Sequence, residues 1–409
     1  MARSYYPRAA LAILSGLNFF NYVDRSVLFA VQPLVQHEFP RNDAEYGFLT
    51  TAFFICYMIV APVIGFFADR YSRKWIMVAG ALLWCGATLL TAVTHSFETL
   101  LFRHTLVGIG EATFVTIAPS FLSDLFSEEH RGRIFGVFYL NIGLGTAVGY
   151  MVGGYLGHHY GWRYPFYVAA APGFFLAVAM AFLPEPIRGS HDLLKPTGER
   201  TTFKGLFRNG AFWMATLGMA MTTFAMGGLQ VWMPTFLSRS RGVALDHANL
   251  VFGGITAFNA IAATFIGGWL GDRLLRKTAS AYYLVSAATL ALSVPAMLLA
   301  IFKTGPMMFP AIFLAEFLLF LNTAPLNAAV VNSVGASIRA FAIALNLFVI
   351  HLLGDAFSPT LIGHISDESN LQTGFLAAIV AIVAGSLILF YGMRFAPEIP
   401  GQTVEVAAG

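Results

Sequence analysis

Apolar residues run in blocks longer than the core of a soluble protein uses. Twelve blocks are long enough to cross a bilayer as helices, each needing roughly 20 residues. They lie near 9–36, 46–68, 75–94, 99–123, 133–157, 163–183, 209–237, 248–270, 280–302, 306–331, 338–363 and 372–394. The polar stretches between them are short, except for one. Residues 184–208 hold Arg188, Lys195, Arg200, Lys204 and Arg208 with Pro184, Pro186 and Pro196. This stretch reads as a linker, 185–208, joining two six-helix bundles at 1–184 and 209–409. The expected fold class is an all-α membrane protein with twelve transmembrane helices in two pseudo-symmetric bundles.

Composition agrees with that pattern. Of 409 residues, 57% are hydrophobic and only 11% charged, against about 25% charged in soluble domains. So few charges could not cover a water-soluble surface of this size. The net charge of +3 is too small to point to nucleic acid, and no nucleic-acid partner is expected. Position matters more than total. With both termini cytoplasmic, 17 of the 24 Lys and Arg fall on inside segments. Only Arg41, Arg163, Arg239, Arg241 and Lys303 fall outside, and Arg25 and Arg103 lie within spans. This asymmetry sets the expected orientation. Cys56 and Cys85 sit inside apolar blocks and read as packing residues. The first block carries Asn18, Asn21, Asp24 and Arg25, which a cleavable signal core would not.

The two halves repeat. Gly65-Phe-Phe-Ala-Asp69-Arg70-Tyr-Ser-Arg73-Lys74 follows block 2, and Gly268-Trp-Leu-Gly-Asp272-Arg273-Leu-Leu-Arg276-Lys277 follows block 8. Glu111 in block 4 is matched by Glu316 in block 10, Arg131 by Arg339, and Pro184-Glu185 by Pro397-Glu398. Internal repeats of this kind are the design of many secondary transporters.

The doubled G-x-x-x-D-R-x-x-R-K loop and the basic Arg131-Gly132-Arg133 turn resemble the major facilitator superfamily. Three further stretches resemble its Spinster family. They are Asn21-Tyr-Val-Asp24-Arg25; Gly108-Ile-Gly-Glu111 through Pro119, followed by Ser123-Asp124-Leu-Phe126; and His351-Leu-Leu-Gly354-Asp355-Ala-Phe-Ser-Pro359 through Asp367. The resemblance implies the major facilitator fold. It also implies alternating access and an amphipathic substrate of the lysophospholipid or sphingosine-phosphate class, often coupled to protons. It implies that the loops at Asp69, Arg70, Arg73 and Lys74, and at Asp272, Arg273 and Arg276, latch the bundles in one access state. It further implies that a glycine-rich span 5 (Gly145, Gly149, Gly153, Gly157) packs on span 8. Spans 1, 4, 7 and 10 would line the cavity.

Ionisable groups at membrane depth cost roughly 2.5–3.5 kcal/mol each on insertion scales, so they face the interior and pair. Asp24, Arg103 and Glu111 are the expected proton-coupling residues, with Arg103 exchanging between the two carboxylates. Arg103 and Glu111 are eight residues apart, some 80° of azimuth and about 12 Å of rise. The alternative is a static salt bridge between spans 1 and 4. His351 and Asp355 share a face at i, i+4 and suit a second proton site or a clamp on a headgroup. Asn21, Arg25, Glu316 and Asn322, with His351 and Asp355, are the expected substrate contacts.

No metal cluster, H-E-x-x-H, G-x-S-x-G or nucleotide loop appears in the sequence. An enzyme and an ATP-driven pump are not expected, nor is any metal or cofactor. The leading expectation is a proton-coupled secondary transporter. The alternatives are an organic-anion/proton symporter, with Arg25 or Arg103 holding a carboxylate, and a non-transporting receptor. The expected partners are the lipid bilayer, a small amphipathic or anionic substrate, and protons. The expected state is a monomer, multi-pass in the plasma (inner) membrane if bacterial.

Overall fold

The computed structural model describes residues 2–188, 203–334 and 338–396. Lys195, Pro196 and Arg200 of the linker, and Pro397 and Glu398 of the repeat, lie outside the described residues. All regular structure among the described residues is helical. The first half contributes α1 (Ala2–Glu38), α2 (Asp43–Arg70), α3 (Arg73–Thr91), α4 (Phe97–Ser123), α5 (Glu128–Tyr160) and α6 (Tyr164–Ala181). A short α7 (Phe203–Phe207) precedes α8 (Gly210–Thr235), α9 (Leu245–Leu275) and α10 (Ala281–Phe302). Then come α11 (Met308–Phe320), α12 (Thr323–Asn332), α13 (Arg339–Ile350), α14 (Ser358–Glu368) and α15 (Leu371–Gly392).

Among the described residues, eleven helical stretches are long and apolar enough to cross a membrane. The first helix is not one of them, because its polar stripe dilutes its apolar character. Local signals set the ends. Asn42 caps α2 in a reciprocal box with Glu45. Ser72 and Ser96 cap α3 and α4. Gly161, at φ +96°, ends α5.

Two compact units are present. The first comprises Met1–Lys195, Leu229–Ala257 and Pro359–Leu371; the second comprises Pro196–Gly228, Phe258–Ser358 and Gln372–Gly409. This division does not follow the repeat, because two segments of the second half belong to the first unit.

In the first unit, α1 packs against α5 and α6, and α4 packs against α2 and α3. The glycine stripe of α5 differs from the expectation. A Cβ at Gly145 or Gly149 would collide with α1 backbone at Phe19 or Val23, and one at Gly153 or Gly157 would meet Ala30 or Val31. The stripe therefore lets α5 close on α1, not on span 8. Gly154 and Gly253, off that stripe, make the approach between α5 and α9. Lipid tails give little hydrophobic drive for helix association, so such close approach carries much of the packing.

In the second unit the spans are interrupted. α11 and α12 are separated at Leu321–Asn322, where Gly267 of α9 crosses the Leu321 carbonyl with no room for a Cβ. Between α13 and α14 lies a π-helical turn, His351–Asp355, in which Gly354 leaves helical geometry at φ −102°, ψ −110°.

Candidate functional site

The polar stripe of α1 faces the interior of the first unit. Asn21 is fully buried, Asp24 is 4% exposed, and Glu111 on α4 is fully buried. Arg25 Nη2 donates to Glu111 Oε2 at 2.6 Å. Its guanidinium lies 4.7 Å from the centre of the Phe53 ring, 5.0 Å from Tyr22 and 5.4 Å from Phe54. A planar, weakly hydrated cation suits such a cage, which a lysine ammonium would not fill. Asp24 turns the other way, since successive residues diverge by about 100°. Thr88 Oγ1 of α3 donates to it at 3.4 Å, and Trp84 faces it. Asn21 leans on Glu111 without a well-formed hydrogen bond. Asp24 Oδ1 and Glu111 Oε1 have no hydrogen-bond partner among the described residues. The two carboxylates are close enough to feel each other's charge.

Two acids and one base thus share a water-poor interior. An uncompensated buried charge costs several kcal/mol. The cluster is electrically neutral only when it carries one proton.

Arg103 is not in this cluster. It donates to the Leu90 carbonyl and, at 2.7 Å, to Thr94 Oγ1, at the end of α3. The expected geometry, with Arg103 beside Asp24 and Glu111, is corrected: Arg25 occupies that place. The reason is angular. Eight residues from Glu111 point Arg103 away, whereas His104, seven residues away, lies on the Glu111 face.

A second cluster closes the end of the first unit where α1 ends and α2 begins. Asp43 accepts from both Nη atoms of Arg239, with the Nη1 bond at 2.8 Å. It also accepts from Ser366 Oγ at 2.6 Å and Gln36 Nε2 at 2.9 Å. Asp367 accepts from the Asp43 and Ala44 amides at 2.7 and 2.9 Å, capping α2 from outside its own sequence. Thr51 and Thr360 share a 2.7 Å hydrogen bond. Gly47 and Gly363 let α14 lie against α2 with no room for a Cβ at either position. The capping box is local to Asn42–Glu45, but the partners of Asp43 are distant in sequence and carry no local signal.

At the opposite end, Arg73 pairs with Asp124 at 2.6 Å, and its amide donates to Glu185 at 2.8 Å. Lys74 donates to the Ala181 carbonyl at 3.1 Å. Arg188 donates to the carbonyls of Ala68, Asp69 and Tyr71, covering the α2 terminus. Arg70 stacks on Phe66 at 3.5 Å, and Arg273 on Trp269 at 5.2 Å, the same position in the repeat. Asp272 accepts from Tyr282 at 2.8 Å, and Arg276 lies in the turn after α9.

In the second unit, His351 Nδ1 lies 2.9 Å from Asp355 Oδ1, inside the π-helical turn. Gly227 of α8 takes the Asp355 side chain against its Cα. Glu316 is 6% exposed and accepts from Asn259 Nδ2 at 3.4 Å. Asn322, at the break in span 10, is buried with its amide nitrogen unpartnered among the described residues. Thr222 and Thr223 bond back to their own helix.

Comparison with known proteins matches residues 14–359 to the Major Facilitator Superfamily. The chain is 34% identical over 388 residues to Protein spinster homolog 3 of Danio rerio, covering 90% of this chain and 77% of the relative. It is 34% identical over 405 residues to Protein spinster homolog 1 of Homo sapiens, covering 92% and 76%. Among solved structures it is similar to a bacterial homolog of the human lysosomal transporter Spinster, inward-facing and unoccupied. That match has TM-score 0.87 and 22% identity, over 96% of this chain and 98% of the other. A D-xylose-proton symporter matches with TM-score 0.76 and 16% identity, over 98% and 99%.

Proposed function

Because the chain belongs to the Major Facilitator Superfamily and, within it, to the Spinster family, we propose that this transporter is driven by protons and carries an amphipathic, lipid-like substrate. The observation that carries the proton reading is the buried Asp24, Arg25 and Glu111 cluster. In this reading one proton enters the carboxylate pair. A neutral Glu111 holds Arg25 far more weakly than an ionised one, because the charge-assisted bond is lost. The guanidinium then leaves its place between α1 and α4, and the two helices are free to adopt a second arrangement. Loss of the proton restores the pair. The coupling follows from charge balance: an ionised Glu111 with Arg25 withdrawn leaves an uncompensated buried charge.

The Asp43 cluster, which joins α2 to Arg239, Ser366 and Asp367 of the second half of the sequence, is the end that opens and closes in this reading. In the orientation expected from the basic residues, the Asp43 cluster faces outside. His351, Asp355, Glu316 and Asn322 are the proposed substrate contacts, supported for His351, Asp355 and Asn322 by their position at broken helices, where transporters place binding groups, and for Glu316 by its burial on α11. The organic-anion reading would have Arg25 hold a substrate carboxylate. Glu111 and three aromatic rings already occupy that guanidinium, which favours the coupling role.

The test is counterflow of labelled lysophosphatidylcholine in proteoliposomes, with and without a pH gradient. Stimulation by the gradient and competition by unlabelled lysophospholipid support the proposal. Exchange displaced by a dicarboxylate or sugar acid, and not by lysophospholipid, would replace the lipid reading with the anion one.

A further inference from the structure

His104 is a buried imidazole for which the coupling cluster alone gives no role. It lies on α4 seven residues before Glu111, about 20° short of two full turns, hence on the same face and about 10 Å along the axis. It is 6% exposed. Its ring stacks on Phe53 at 5.2 Å and 28°, and the same Phe53 carries the Arg25 guanidinium at 4.7 Å. The charged group that acts on it is Arg25 of α1, whose guanidinium in turn faces Tyr22 on α1, Tyr57 on α2 and Glu111 on α4. Its Nε2 has no hydrogen-bond partner among the described residues.

A packing role does not explain this residue. A buried nitrogen without a partner costs about 1–3 kcal/mol, and a phenylalanine would stack on Phe53 without that cost. A lasting charge does not explain it either, because Arg25 already supplies one positive charge nearby. What a neutral imidazole offers is two nitrogens with opposite roles, one accepting and one donating.

Its place along α4 fits a relay. α4 starts at the end closed by the Asp43 cluster, where Phe97 packs on Tyr46 and Glu98 pairs with Arg41. His104 stands between that end and Glu111. We propose that His104 passes protons between this end of the first unit and the Glu111–Arg25 pair. The inference rests on the proton-coupling reading above and assigns its entry route.

The step balances as one proton in and one proton out. One ring nitrogen accepts a proton from water on the Asp43 side. The other nitrogen releases its own proton across water to Glu111 Oε1, which Arg25 does not hold, and Arg25 leaves once the carboxylate is neutral. A flip of the ring restores the starting tautomer.

Trp84 faces Asp24 and makes a built-in reporter that needs no substrate. The experiment follows Trp84 fluorescence in proteoliposomes of the full chain after an external acid jump, with W84F subtracted as background. Variants H104F and H104Q are compared with the unaltered protein. H104F keeps the stack and removes the unpartnered nitrogen; H104Q keeps a polar group that cannot relay. The inference expects the same final signal in both variants, reached at least about tenfold more slowly, a conservative share of what a positioned proton-transfer group contributes. H104F should also melt no lower than the unaltered protein, which separates the relay from a structural role.

Unchanged rates in either folded variant would overturn the relay while leaving the proton-coupling reading standing. A changed final signal with an unchanged rate would also overturn it. No Trp84-dependent response in the unaltered protein would overturn the coupling reading, and the relay with it.

Discussion

Arg25 and Arg103 show how much one helical position decides. Both are arginines at membrane depth in the sequence, yet one sits on a buried carboxylate and the other on backbone at the end of α3. Their variants should separate accordingly. R25K should abolish gradient-driven transport, because an ammonium cannot fill the aromatic cage while holding Glu111. R103Q should leave the pH dependence of transport intact and lower stability by about 1.5–3 kcal/mol through lost charged hydrogen bonds, read as a lower Tm. The residues of the cluster were legible one by one, since Asp24, Arg25 and Glu111 all stand out in apolar blocks. Their pairing was not, because spacing within one helix says nothing about which neighbour a side chain meets. His104 was within reach of the sequence: its seven-residue separation from Glu111 places both on one face.

Glu38, beyond the end of the first apolar block, gives a test outside the membrane. Hydrogen bonds from Arg163 hold its carboxyl well below the usual range, at about 2, against partial burial and with help from the Trp162 N–H. A depressed carboxylate stabilises the fold fully above its unfolded value near 4.5 and loses that contribution as pH falls through about 2. E38Q should therefore melt below the unaltered protein at neutral pH, with the gap closing between about 4.5 and 2. Solvent at this half-exposed pair limits the gap to about 1 kcal/mol.

Among the elements, the order of the apolar helices was legible, because a period-free apolar run of about 20 residues has one stable answer in a bilayer. The interruptions were less so. The π-helical turn at His351–Asp355 and the break at Leu321–Asn322 arise where Gly354 meets α8 and Gly267 crosses a carbonyl. Those are tertiary contacts. The glycine stripe of α5 was visible as a surface for close packing, but its partner proved to be α1. The approach of α14 to α2 through Gly47 and Gly363 yields a prediction at this scale. G47V adds bulk against the Pro359 carbonyl and should cost about 1–3 kcal/mol, as overpacking does. It should also hold this end apart, so that a cysteine at Thr360, bonded to Thr51 in the closed arrangement, reacts faster with a water-soluble thiol reagent. An unchanged labelling rate in a folded G47V protein would show that the Gly47 contact does not close this end.

At the scale of the whole molecule, repetition supplies a scaffold and charge supplies the asymmetry. The loops at Asp69 and Asp272 repeat down to the stacking of Arg70 and Arg273 on aromatic residues one turn earlier. Glu111 and Glu316 repeat in sequence but not in company: the first meets an arginine, the second an asparagine. In the proposed reading, one half holds the proton-coupling cluster and the other offers polar groups near broken helices.

The central claim is that the Asp24, Arg25 and Glu111 cluster turns protonation into transport. The most direct measurement is uptake of labelled lysophosphatidylcholine into proteoliposomes carrying E111Q, driven by a pH gradient and compared with gradient-free counterflow. The account predicts that counterflow persists while stimulation by the gradient is lost. Stimulation of E111Q equal to that of the unaltered protein would contradict it.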